Sequence, residues 1–179
     1  MTKTLHVIID NSGSMMELGK RFITANLFRY IRDVQMIQPD RFENFGIKLF
    51  ICHDTMHEIS VELNKDIELP NSTGKFNNEA FLQFLETENP EHALLLSDKI
   101  EKELIQKVSI PFVFVTVGVD TKIPLLKNKT QNITAFYAED ISAALDVTLN
   151  DTTEKLPQTT GEITNLLTNN KTDGDDWDV

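Results

Sequence analysis

The sequence predicts an α/β fold: a doubly wound, mostly parallel sheet with helices on both faces and a hairpin at one edge. Three observations carry this. Short apolar runs without strict alternation (Leu5 to Asp10, His92 to Asp98, Pro111 to Val117) mark strands covered on both faces. Segments of helical periodicity separate them. Two further strand-like runs, Phe45 to His53 and Glu58 to Leu63, are joined through Asp54-Thr55-Met56 as a hairpin at the sheet edge.

Each element has its own signal. Leu5-His6-Val7-Ile8-Ile9 reads as a buried first strand. Gly19 to Ile37 reads as a core-facing helix, with Phe22, Ile23, Ala25, Leu27, Phe28, Ile31, Val34 and Ile37 as its apolar set. Gln38-Pro39-Asp40 stops it. Asn78 to Thr87 is a short helix turning Ala80, Phe81, Phe84 and Leu85 inward, and Ile100 to Val108 is another. Asn132 to Tyr137 is a strand, and Asp140 to Leu149 closes the domain as an amphipathic helix.

The 179 residues suit one domain, 1–150, with a real core, and 40% apolar composition is ordinary for a globular protein. From Asp151 the composition turns Thr- and Asn-rich. The stretch 151–179 holds seven acidic residues against Lys155 and Lys171, supplying -5 of the net -11. It reads as a flexible acidic tail. Trp177, the sole tryptophan, sits there among acids and reads as an aromatic docking anchor. The net charge argues against nucleic acid and anionic lipid as partners. Cys52 is the single cysteine, so no internal disulfide forms. No export signal and no apolar stretch near about 20 residues is present. The expected location is the cytoplasm.

The chemistry concentrates in Asp10-Asn11-Ser12-Gly13-Ser14-Met15, at the end of the first strand. One carboxylate and two hydroxyls recur at every second residue, a donor set suited to a hard cation. Gly13 is expected to let the loop curl between the serines. The same residue types also populate ordinary strand-to-helix turns, where Asp or Ser caps the helix. Asp98 ends another strand, after Leu94-Leu95-Leu96-Ser97. In open α/β sheets ligands bind beyond the carboxyl ends of the strands.

The Asp10-x-Ser12-x-Ser14 run with Met15, the long helix behind it and the Leu-Leu-Leu-Ser97-Asp98 strand end resemble the von Willebrand factor A (vWA) domain and its metal-ion-dependent adhesion site. The resemblance covers roughly Thr4 to Asn150 and implies a Rossmann-like vWA fold of the stand-alone, intracellular type. It implies that Ser12 and Ser14 bind a divalent cation directly, while Asp10 and Asp98 hold it directly or through water. A further oxygen would come from Thr73, with Ser72 in reserve, because Asn71-Ser72-Thr73-Gly74 stands where the family commonly has Gly-Gly-Thr. The implied cation is Mg²⁺, or Mn²⁺ or Ca²⁺. The implied partner is a protein offering a Glu or Asp carboxylate to complete the coordination, with no catalysis and an adaptor role.

Two other functions compete. A Mg²⁺-dependent aspartyl phosphatase would use Asp10 as nucleophile, although the loop lacks the second acid of an Asp-x-Asp pair. A metal-free interaction domain would use the loop only as structure. His53-Asp54-x-x-His57 could be drawn as a metal cluster but reads as a polar edge connection. His6 and His92 read as structural, and Glu17 as a solvated helix start close to the loop.

Overall fold

The first strand, β1 (Lys3–Asp10), lies in the middle of the sheet and is buried from Leu5 onward. That explains its nearly continuous apolar run, interrupted only by the buried His6, since both of its faces need cover. The structure, a computed structural model, describes residues 3–60, 67–71, 74–118, 123 and 132–150. β1 pairs in parallel with β2 (Phe45–Cys52) on one side and β4 (His92–Ser97) on the other. β5 (Phe112–Thr116) and β6 (Ile133–Tyr137) extend the sheet in parallel beyond β4. β3 (Met56–Ile59) runs antiparallel at the edge of β2. The six strands lie in the order β3-β2-β1-β4-β5-β6.

Successive side chains feed two cores. Leu5, Val7 and Ile9 join Leu94, Leu96, Val113 and Val115 beneath helix α1 (Lys20–Ile37) and helix α4 (Ile141–Leu149). Ile8, Phe50, Leu95 and Phe114 face helix α2 (Asn78–Glu88) and helix α3 (Lys102–Lys107). The doubly wound sheet with an edge hairpin is therefore as the sequence predicts. β2 ends at Cys52, one residue before the predicted end. Residues 61–63 of the predicted third strand lie outside the described residues, as does the tail 151–179.

The inward face of α1 differs from the expectation. Its buried set is Lys20, Thr24, Leu27, Phe28, Ile31, Arg32 and Val34. Phe22 and Ile37 are 74% and 77% exposed. The reason is rotational. Positions 20, 24, 27, 28 and 31 share one face at 3.6 residues per turn, and Phe22 lies roughly 200° around from Lys20. Leu27, Phe28, Ile31 and Val34 face inward as predicted, whereas Phe22, Ile23 and Ile37 do not. Among the described residues, no helix is long and apolar enough to cross a membrane.

Candidate metal centre

After β1 the chain crosses to β2 on one side, and β4 then takes the place on the other side of β1. This is the topological switch point, where crossovers diverge and leave a crevice at the strand carboxyl ends. Asp10 is the last residue of β1, and Asp98 directly follows β4. The sheet topology thus brings both carboxylates to one crevice.

Asp10 is 1% exposed. Its Oδ1 accepts the Ser12 backbone N–H at 2.7 Å, and its Oδ2 accepts the Ser97 hydroxyl at 2.5 Å. The loop then makes a single 3-10 turn, Gly13–Met16, before α1. Neither that turn nor α1 has a side-chain cap. Capping therefore does not account for the serines. Instead, Ser12 Oγ and Ser14 Oγ lie 3.1 Å apart, and Ser14 Oγ donates to Asp98 Oδ1 at 3.2 Å. Gly13 acts differently from the expectation. The left-handed positions of this loop are Leu18 (φ 50°) and Gly19 (φ 76°), while Gly13 gives its N–H to Gly74 O at 2.8 Å.

Those spacings fit a hard cation. An octahedral Mg²⁺ with bonds of about 2.1 Å sets neighbouring oxygens about 3 Å apart. The charge also fits. Burial pushes the Asp10 carboxyl above its ordinary range and Asp98 adds to this, while hydrogen bonds from Ser97 and Ser12 oppose it. The buried Cys52 thiol, opposite Asp10 in the sheet, is pushed up to about 12 by burial and then by the Asp10 charge. A cation beside Asp10 would offset the cost of burying its charge. Among the described residues, no three His, Cys, Asp or Glu side chains gather as a metal cluster. The oxygen set is built from two carboxylates and hydroxyls, which favours Mg²⁺ or its neighbours over softer metals.

Thr73 and Ser72 lie outside the described residues. The residues flanking them are tied to the site. Gly74 meets Gly13, and Arg21 on α1 donates to Asn71 Oδ1 at 2.6 Å and to Leu69 O. The crevice opens as a cleft of about 410 Å³ lined by Ser12, Ser14, Glu17, Gly74, Lys75 and Lys99. Glu17 is exposed on its rim, as are both lysines.

Sequence reasoning missed Lys20. Its Nζ donates to Asp98 Oδ2 at 2.8 Å, and both side chains are almost fully buried. A lysine on the core-facing stripe of α1 was the available signal, because buried lysine needs a charged partner. Ser97, read only as part of a strand end, donates its hydroxyl to Asp10 and accepts the Lys99 backbone N–H at 3.3 Å.

The remaining candidates have structural partners. His53 Nδ1 pairs with Asp54 at 3.1 Å and His57 with the Thr55 hydroxyl at 2.7 Å. His6 stacks on Phe50 with ring centroids 5.7 Å apart. His92 Nδ1 donates to Thr148 O at 2.6 Å, which fixes its tautomer.

Solved structures share this fold. Similarity extends to the ArnB paralog VWA2 from Sulfolobus acidocaldarius (TM-score 0.54, 18% identity), over 81% of this chain and 44% of that one. It extends also to proximal thread matrix protein 1 from the mussel byssus (TM-score 0.53, 13% identity), over 82% of this chain and 46% of that one. The chain thus has the von Willebrand A fold and spans under half the length of these relatives. Neither a family model nor a curated protein sequence matches it.

Proposed function

We propose that this domain is a protein-interaction module whose divalent cation, Mg²⁺ or a close neighbour, recognises a carboxylate of a partner. Ser12, Ser14, Asp10 and Asp98 would hold the ion, with Thr73 or Ser72 adding an oxygen. A bound cation with hydroxyl ligands keeps much of its charge and so attracts an incoming Glu or Asp. The observation that carries the reading is the mutual arrangement of Ser12, Ser14 and Asp98, which face one another across the switch point instead of capping a helix.

The surroundings support an anionic partner. Lys75 and Lys99 line the cleft despite the acidic chain. Leu18 is 87% exposed beside it, and Phe22 follows one turn later on α1, so apolar contact area adjoins the charged centre. Both Asp10 oxygens are engaged by Ser12 and Ser97, which suits an anchoring role better than nucleophilic attack. We therefore read the domain as an adaptor without enzymatic activity. A sole cysteine buried as a thiol accords with a reducing compartment such as the cytoplasm.

The test combines metal titration with capture. Mn²⁺ binding is followed by the loss of the free-ion resonance, for wild type and Ser12→Ala. Partners are then captured by both proteins in Mg²⁺ and in chelator. The expected result is one Mn²⁺ site weakened by Ser12→Ala, and a captured set present only with wild type in Mg²⁺. Capture that is indifferent to chelator and to Ser12→Ala would select a metal-free interaction domain. The Lys20–Asp98 pair gives that second reading its one specific support, since an ammonium already neutralises one carboxylate.

A further inference from the structure

Lys20 is out of place by the logic of its helix. Its stripe continues as Thr24, Leu27, Phe28 and Ile31, where an apolar side chain would complete the core. Instead the position carries an ammonium, 4% exposed, against a carboxylate that is 2% exposed. The path of the side chain is built for it. Gly118, at φ +106°, borders the lysine stem, and a Cβ there would come within 3.1 Å of Lys20 Cε.

The two oxygens of Asp98 face different neighbours. Oδ2 takes the Lys20 ammonium, while Oδ1 takes the hydroxyl of Ser14, which in turn meets Ser12. The lysine therefore takes the oxygen of Asp98 that the hydroxyl cluster leaves to it. It need not leave when a divalent ion binds among Ser12, Ser14 and Oδ1. Its positive charge repels that ion and draws on the same carboxylate. It equally adds to the attraction felt by any anion reaching the loaded site.

From this geometry, and resting on the metal-dependent reading above, we propose that Lys20 is a resident counter-cation that weakens divalent-metal binding while strengthening the hold of the loaded site on a carboxylate. The two affinities are set against each other by one buried charge. A lysine that served only to satisfy Asp98 would have a different signature, since its loss would loosen the site and weaken both.

The test uses the full chain, with Lys20→Gln, which can still donate a hydrogen bond to Asp98, and Lys20→Met. Mn²⁺ affinity is read from the free-ion resonance. Carboxylate binding is read by titrating acetate against the water-proton relaxation of bound Mn²⁺, because an entering carboxylate displaces exchanging water. The expectation is tighter Mn²⁺ binding in Lys20→Gln, by about tenfold, and weaker acetate binding by a similar factor. Mn²⁺ should also raise the melting temperature of Lys20→Met more than that of wild type. If wild type binds Mn²⁺ and Lys20→Gln binds it equally or more weakly, the counter-cation role is wrong and the metal-dependent function stands. If wild type fails to bind and Lys20→Gln binds, the metal-dependent function of the natural chain falls, and with it the claim that Lys20 tunes a loaded site. Failure of every chain to bind Mn²⁺ overturns both ideas.

Discussion

Replacing Asp10 by Asn separates what the charge of this side chain does from what its shape does. The amide keeps an oxygen for the Ser12 N–H and presents a donor to Ser97 Oγ, which can turn its own hydrogen to Lys99 O. Neither hydrogen bond has to be lost. The charge, however, disappears, and burial pushes the Asp10 pKa upward. An acid with a raised folded pKa contributes stability at low pH and loses it as pH rises through that pKa. At neutral pH the wild type carries this cost and the Asn variant does not.

In chelator, Asp10→Asn should therefore melt at or slightly above wild type. Asp10→Ala should fall by about 2–4 kcal/mol, because two hydrogen bonds to a charged group vanish and a buried N–H is orphaned. Metal reverses the order. An ion held at a hundred times its dissociation constant stabilises wild type by about 2.7 kcal/mol. For a domain of this size that is about 5–10 °C. Asp10→Asn should show little of this rise. Thermal denaturation by circular dichroism, with and without Mg²⁺, reads all four quantities. A full metal-dependent rise in Asp10→Asn, or a melting point well below wild type in chelator, refutes the reasoning.

Four further outcomes follow from the geometry. Phe81→Ala removes a fully buried ring packed between Phe76 and Phe112, and should cost about 3–5 kcal/mol in urea denaturation. Asn77→Ala takes away the cap that accepts from both Glu79 N and Ala80 N, at about 1 kcal/mol by the same assay. Burial, then Lys48, lowers the His6 pKa from 6.5, so its neutral form contributes stability above that pH and loses it as pH falls. His6→Leu should flatten the decline in melting temperature below pH 6.5. Leu18→Gly relieves a left-handed residue whose side chain is almost wholly exposed, and should raise stability by about 0.5–1 kcal/mol while weakening partner capture.

The sheet was readable because its strands are buried on both faces, which forces long apolar runs at β1, β4 and β5. The hairpin was readable from the short polar link between two such runs. The facing of α1 was readable only in part: Leu27, Phe28, Ile31 and Val34 are buried as predicted, but Phe22 and Ile37 are apolar yet exposed, and the true stripe includes Lys20, Thr24 and Arg32. Composition marks hydrophobic positions but does not weigh them against the one rotation that serves the sheet. Asp10, Ser12, Ser14 and Asp98 lie near one another because strand ends converge by topology. Lys20 escaped because its role depends on a carboxylate 78 positions away.

Those sequence separations matter for how the molecule assembles. Ser14 meets Asp98 across 84 positions, and Asp10 meets Ser97 across 87. Each contact closes a loop containing α1, the hairpin and α2, and each depends on β4 having docked beside β1. Closing such a long loop costs chain entropy, which the pairing of β4 with β1 has to offset before these contacts form. The crevice thus works as a seam fastener in the middle of the sheet. During synthesis the Asp10 loop emerges early, yet it stays half a site until residue 98 has followed. A partner that reads this crevice meets only molecules whose central strands are already joined.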